Sequence, residues 1–412
     1  MRAHHLSVLG LLLFCTAPAQ VPAPVVRPGI EVLLADSAQL IAGRRLGLLT
    51  NHTGVDRLGR RDADLLRAMP GARLTVLFSP EHGFRGLEDR PGLPDGVDSA
   101  TGLPIYSLYG GSRRAARAAL DSIDVLIIDL QDVGARYYTY PATAASLMRD
   151  AARNGKRVIV LDRPDPVGGV LVQGNVRPVI GDPDSAFVGF LPVPMRHGMT
   201  LGELERMVND LLALRADLVV VPAAGWHRDA YYDATQLPWI RPSPNMPSLE
   251  SAIHYPGTCL FEGTNVSVGR GTPAAFQLIG APWLDAPAVL RRLREWGLGT
   301  GDLAGVDLAD TTFTPRAPTD GKYDGVLLHG VRLRVTDRQR YDPARTAVAL
   351  LAAVRAAHPD SFQFRPQSFD RLAVGSELRE AVAAGRAPAD IWRGWDEALA
   401  RFRVTRAKYL LY

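Results

Sequence analysis

The chain has 412 residues, of which 47% are apolar, and its 47 basic side chains exceed its 43 acidic ones by only four. That composition is globular, with length enough for two or three domains. So small a charge imbalance, with both signs interspersed, excludes the clustered basic stripe of a nucleic-acid-binding surface.

The first predicted element is an export signal. In "MRAHHLSVLGLLLFCTAPAQ", Arg2 precedes an apolar run from Leu6 to Phe14, and Ala17-Pro18-Ala19 supplies an A-x-A cleavage pattern. The run is shorter than the ~20 residues of a permanent membrane span. Cys15 follows Phe14 rather than a small residue, so lipid anchoring ranks second. Residues 1–19 therefore read as a signal peptide cleaved near Ala19, and residues 20–29 as a proline-rich lead-in. The protein is expected to be exported, periplasmic or secreted, with no permanent membrane span. Cleavage leaves Cys259 as the one thiol, so the fold must rest on its core rather than on a disulfide.

From residue 45 to about 225, apolar runs rich in Val, Ile and Leu alternate with helical stretches. The runs are "RLGLLTN", "RLTVLFSP", "LPIYSLYG", "DVLIIDLQD", "KRVIVLDRP" and "DLVVVPAAG". Between most of them lie segments such as "RRDADLLRAM" and "LGELERMVNDLLAL". Continuous apolar strands separated by helices predict a mostly parallel sheet covered on both faces, a Rossmann-like, doubly wound α/β domain over residues 30–274. No G-x-G-x-x-G follows the first strand, so the fold does not by itself license a dinucleotide. After residue 275, "AAFQLIGAPWLDAPAVLRRLREWG", "YDGVLLHGVRLRVTD" and "PARTAVALLAAVRAAHP" predict a smaller α+β domain, residues 275–412, closing a cleft.

Ligands of an open parallel sheet sit beyond the carboxyl ends of its strands. The polar residues after each run are therefore the candidates: Asn51 and His52, Glu81 and His82, Asp132 with Arg136, Tyr137 and Tyr138, and Asp162. Later loops add Asn245, Glu262, Asn265 and Arg270. Acids and amides bind hydroxyls and arginine forks bind carboxylates, so this rim suits a polyhydroxyl ligand carrying an anionic group. Each candidate also has a structural reading: Glu81 as a turn cap, Asp132 as a turn former, the tyrosines as packing, the arginines as surface ion pairs. No G-x-S-x-G elbow appears. His52, His82 and His197 lack metal-ligand spacing, so neither a metal nor a cofactor is nominated.

Taken in order, "LLTNHTGVD", "LFSPEHGFRG", "IDLQDVGARYYTY", "LDRPDPVGG", "PSPNMP" and "FEGTNVSVGRGT" resemble the bacterial peptidoglycan exo-β-N-acetylmuramidase family (NamZ type), long catalogued as a domain of unknown function. The closing "YLLY" is similar to that family's C-terminus. The resemblance implies an exported glycosidase that releases terminal N-acetylmuramic acid from the non-reducing ends of peptidoglycan fragments. It also implies a cleft between a Rossmann-like domain and a smaller one. It places the catalytic glutamate at Glu81. The chemistry of glycoside cleavage then makes Asp132 or Glu262 the candidate second carboxylate, unless the sugar's own acetamido oxygen attacks, with Arg136 or Arg270 for the lactyl carboxylate and Asn245 and Asn265 for hydroxyl or acetamido groups. Three rivals remain: a non-catalytic muropeptide-binding protein, an ester or amide hydrolase of cell-wall material, and, ranked last for want of the glycine fingerprint, a nicotinamide-dependent glycosidase.

Overall fold

The computed structural model describes residues 25–298 and 303–412; the expected signal peptide and the first part of the lead-in lie outside the described residues. The six apolar runs all become strands of one seven-stranded sheet. They are β1 (Arg45–Thr50), β2 (Arg73–Ser79), β4 (Pro104–Ser107), β5 (Val125–Asp129), β6 (Arg157–Leu161) and β9 (Leu218–Val221), with a short edge strand β3 (Gly96–Val97). Their order is β3-β4-β2-β1-β5-β6-β9, parallel throughout except where β3 runs against β4.

Alternation along each strand sorts its side chains onto two faces. In β5, Leu126 and Ile128 join Phe78, Val158 and Val160 in one cluster, whereas Val125 and Ile127 join Leu46, Leu48, Leu77 and Ile159 in another. The second face is covered by α1 (Gly29–Asp36) through Ile30 and Leu33, and by α2 (Asp62–Ala68) through Ala63 and Leu66. Helix α3 (Arg113–Ala119), α4 (Tyr140–Arg153) and α5 (Leu201–Leu211) cover the first, the last of them started by a Thr200–Glu203 capping box. Each fully buried Leu or Ile here contributes ~1.5–3 kcal/mol of transfer free energy.

The sequence reading did not nominate the antiparallel hairpin formed by β7 (Gln173–Val176) and β8 (Pro194–Arg196), nor α6 (Leu249–Thr258). Beyond them lies a three-stranded antiparallel sheet, ordered β10-β12-β11, of β10 (Leu278–Ala281), β11 (Val306–Phe313) and β12 (Leu328–Val335). Helix α7 (Ala286–Glu295) packs on it, and the almost wholly buried α8 (Pro343–Ala357) packs between α7 and α6. Four shorter helices follow: α9 (Pro366–Ala373), α10 (Glu377–Ala383), α11 (Pro388–Trp392) and α12 (Trp395–Arg406). The first apolar cluster continues unbroken into Val289 of α7, Leu333 of β12 and Leu350 of α8, so both sheets share one core. Among the described residues, no helix is long and apolar enough to cross a membrane.

Candidate active site

Where β2 ends, Pro80 opens a turn in which His82, Gly83 and Gly86 all have left-handed backbone, with φ of 68°, 74° and 67°. For histidine that conformation is strained, and it is held by Gly83 N–H donating to Pro80 O and Gly86 N–H donating to Gly83 O, both at 3.1 Å. A Cβ on Gly86 would fall 1.8 Å from the His52 ring, so glycine is required for the turn to lie against His52. His52 in turn has Nε2 2.6 Å from the Arg241 carbonyl, and burial lowers its pKa. His52 thus supports the turn from behind.

This support fixes the Glu81 carboxylate. Thr139, at the cap of α4, donates its hydroxyl to Glu81 Oε2 at 2.6 Å. Tyr109 lies near Glu81, and burial together with that negative neighbour pushes its phenol up to about 12, so Tyr109 stays neutral. His82 has Nδ1 2.8 Å from the Glu88 carbonyl and 3.5 Å from Asp89 Oδ1.

Glu81 and His82 open into a cavity with about 620 Å³ of free space. Tyr137, Tyr138, Asn245, Glu262 and Arg270 line it too, so the structure brings these expected residues together. Tyr255 stands edge-on to Tyr137, Tyr138 and Phe276, with ring centroids 6.0, 6.4 and 4.7 Å apart, forming an aromatic wall. Across the cavity, Arg270 lies between two acids, with Nε donating to Glu262 Oε1 at 2.9 Å and Nη1 to Asp89 Oδ2 at 3.4 Å. Burial works against this charge, but Glu262, Asp89 and Asp320 together outweigh it and hold the guanidinium pKa above its ordinary value. Asn245 Nδ2 donates to the same Asp89 oxygen at 2.6 Å. Below the Glu262 turn, Lys322 Nζ donates to the carbonyls of Phe261 at 3.1 Å and Val266 at 2.9 Å, and burial pushes this amine down to about 8.

Other expected residues are turned away from the cavity. Arg136 is corrected as a carboxylate clamp: its buried guanidinium donates to the carbonyls of Asn175 and Leu372 at 2.5 and 2.9 Å, stapling β7 to α9. Burial without a carboxylate partner pushes it down to about 10. Asp162 is a structural anchor, accepting from Thr200 Oγ1 at 2.6 Å, Gly202 N at 2.8 Å and the Tyr412 hydroxyl at 2.8 Å. Asn51 and Asn265 are also spent internally. Asn51 donates to Tyr140 Oη at 2.8 Å, while Asn265 donates to Ser361 O at 2.8 Å and accepts from Gln363 N at 2.9 Å. Asp132 lies off the cavity wall, buried, accepting from Gly134 N at 2.8 Å with His197 Nε2 at 3.4 Å. Cys259 is buried. Among the described residues, no group of His, Cys, Asp and Glu is placed to hold a metal ion.

Two family models, the N-terminal and C-terminal parts of the exo-beta-N-acetylmuramidase NamZ, match residues 46–250 and 253–412. The chain belongs to this family. It is 40% identical over 392 residues to the peptidoglycan beta-N-acetylmuramidase NamZ of Bacillus subtilis (strain 168), spanning 94% of this chain and 92% of that one. Two crystal structures of DUF1343 family proteins from Bacteroides fragilis NCTC 9343 share the fold. One superposes with a TM-score of 0.84 at 34% identity and the other with 0.73 at 33%, each covering 94% of this chain and 99% of its own.

Set among its NamZ relatives, the chain's "SPEHG" turn is the part of the site most legible in sequence. Asp89, Thr139, Tyr109 and Tyr255 were missed as site residues. Thr139 sits inside the nominated tyrosine run, and Asp89 closes the loop that Glu81 opens, so position alone signalled both. Tyr109 lies just beyond a strand, and its place near Glu81 depends on how β4 pairs with β2.

Proposed function

We propose that this chain is an exo-acting glycosidase that removes terminal N-acetylmuramic acid from the non-reducing ends of peptidoglycan fragments, with Glu81 as general acid. The observation that carries the reading is the Glu81 carboxylate. It is fixed by Thr139 on a strained turn and faces a cavity whose far wall, Glu262 and Arg270, comes from the part of the chain matched by the C-terminal family model. Cleaving a glycosidic bond needs a proton delivered to the departing oxygen and a second group at the anomeric carbon. Glu81 supplies the proton, and Glu262, steadied by Arg270, is the second carboxylate on the cavity wall. The lactyl carboxylate of the sugar reaches Arg270 by replacing Asp89, whose contact is the longer of the two carboxylate contacts. The aromatic wall takes the apolar face of the ring and Asn245 takes a hydroxyl or the acetamido group.

Export belongs to the same reading: the leader directs the chain out of the cytoplasm, and N-terminal sequencing of the mature protein is expected to begin near residue 20. The decisive experiment is Glu81→Gln, which removes the proton and keeps the shape. Release of N-acetylmuramic acid from a chromogenic muramide is expected to fall at least ~10³-fold, with binding retained. Full turnover by that variant would reject Glu81 as the acid. Binding without turnover by the unaltered protein would favour the muropeptide-binding reading.

A further inference from the structure

In the cavity that Glu81 faces, three donors from separate parts of the chain converge on one carboxylate, that of Asp89. Asn245 Nδ2 donates to Asp89 Oδ2 at 2.6 Å and Arg270 Nη1 to the same oxygen at 3.4 Å, while His82 Nδ1 stands 3.5 Å from Oδ1. Glu262 occupies the other two nitrogens of Arg270, Nε and Nη2, so Nη1 is the arm turned to Asp89. Thr319 Oγ1 accepts from Arg270 Nη1 at 3.0 Å and from Asn245 Nδ2 at 3.2 Å, which aims both at one place. An amide, a guanidinium arm and an imidazole gathered in this way make a cradle for a carboxylate.

The carboxylate that fills the cradle is the protein's own. Asp89 belongs to the segment between β2 and β3, which is fastened on either side of it. Glu88 N donates to His82 O at 3.3 Å, and Leu93 N donates to Tyr109 O at 2.9 Å. Among the described residues, no backbone–backbone hydrogen bond holds residues 89–92 between these two fastenings. Asp89 can therefore leave the cradle without breaking the turn that carries Glu81.

We propose that Asp89 determines which sugar the pocket accepts: its carboxylate stands in for the lactyl carboxylate of N-acetylmuramic acid and shuts out N-acetylglucosamine, which has none. The assignment rests on the muramidase reading. Any sugar that takes the cradle must first displace Asp89. A muramyl residue puts a carboxylate back on the same donors, so that exchange is close to even. A glucosaminyl residue returns no charge. Arg270 Nη1 and Asn245 Nδ2 then lose an anionic acceptor at a site where the Arg270 and Asp89 side chains are only 19% and 18% exposed. Asp89 thus weakens binding of the muramyl sugar a little and of the glucosaminyl sugar much more, which is selection by competition rather than by an added contact.

The test measures turnover of an aryl N-acetylmuraminide by the full chain, together with calorimetric binding of free N-acetylmuramic acid and free N-acetylglucosamine. In Asp89→Ala, KM for the muraminide is expected to fall about threefold with kcat little changed. The preference for free N-acetylmuramic acid over free N-acetylglucosamine is expected to fall at least about tenfold, through a gain in affinity for the latter. Asp89→Asn, which keeps the shape and removes the charge, is expected to move both readouts in the same direction and serves if the alanine variant folds poorly. Glu88→Gln, which removes the neighbouring exposed charge, is expected to leave both within about twofold of the unaltered protein. A rise in the muraminide KM or an unchanged sugar preference in both Asp89 variants, or an equal shift in Glu88→Gln, overturns the assignment and leaves the muramidase reading intact. Failure of the unaltered protein to turn over the muraminide overturns that reading and this assignment with it.

Discussion

Glu81 is held from two directions, by a left-handed turn beneath it and by Thr139 at its Oε2 oxygen. A hydrogen bond to a charged group is worth ~1.5–3 kcal/mol, so losing one alters where the carboxyl points before it alters the fold. Thr139→Val is expected to lower kcat about tenfold, with substrate binding near normal and the melting temperature little changed, measured by steady-state kinetics and calorimetry. An equal loss in a distant threonine control would remove the special role. At this scale the sequence was a mixed guide. A proline, two glycines and an acid after an apolar strand are readable because local backbone rules act there. Arg136 and Asp162 were not, because a polar loop leaves open which residues turn inward to satisfy buried carbonyls and amides.

At the scale of elements, strand-end loops carry more than the cavity. Behind it, Asp132 and Asp165 follow β5 and β6 and meet His197 next to β8. Burial pushes Asp165 up to about 7; His197 and Arg196 oppose the shift, Asp132 reinforces it, and the Val167 amide donates to it. In an unfolded chain this carboxyl titrates near ~3.9, so between there and about 7 the folded protein holds a proton that the unfolded one has lost. Its stabilising contribution is full below the lower value and is lost as pH rises through about 7. Asp165→Asn is therefore expected to raise the melting temperature by ~2 °C or more at pH ~8, by about a third as much at pH ~5, and not at all near pH ~3.5, read by calorimetry at each. The parallel strands were legible because each is a continuous apolar run. Strand β11 was not, since "VDLADTTF" places polar residues on its open face and draws its regularity from eight paired positions with β12. Helix α6 contains Pro256, a residue that argues against a helix interior. A Cβ on its Gly257 would fall 1.9 Å from the Pro343 carbonyl, so its fit comes from close approach to α8, which no local pattern announces.

The whole molecule is tied across its length. The Tyr412 hydroxyl donates to Asp162 at 2.8 Å and accepts from Ala223 N at 2.8 Å, while Arg206 Nη1 donates to Tyr409 O at 2.7 Å. Arg406 of α12 reaches the Gly169 and Gly198 carbonyls at 3.0 and 3.1 Å. Tyr412→Phe removes both hydroxyl contacts and strands a backbone N–H, which is expected to cost about 1–3 kcal/mol, seen as a lower denaturant midpoint with an unchanged slope. The parallel sheet covered on both faces in the N-terminal part and the smaller α+β C-terminal part followed from the order of apolar runs. The shared core and this terminal fastening are long-range facts, set by contacts between residues some two hundred positions apart. The buried sulfur of Cys259, 3.7 Å from Glu262 and 1% exposed, has a practical consequence. It is a nearly inaccessible thiol in the cavity wall, so the rate at which a maleimide reaches it becomes a clock for how often that wall loosens. A sugar seated against it is expected to slow the clock.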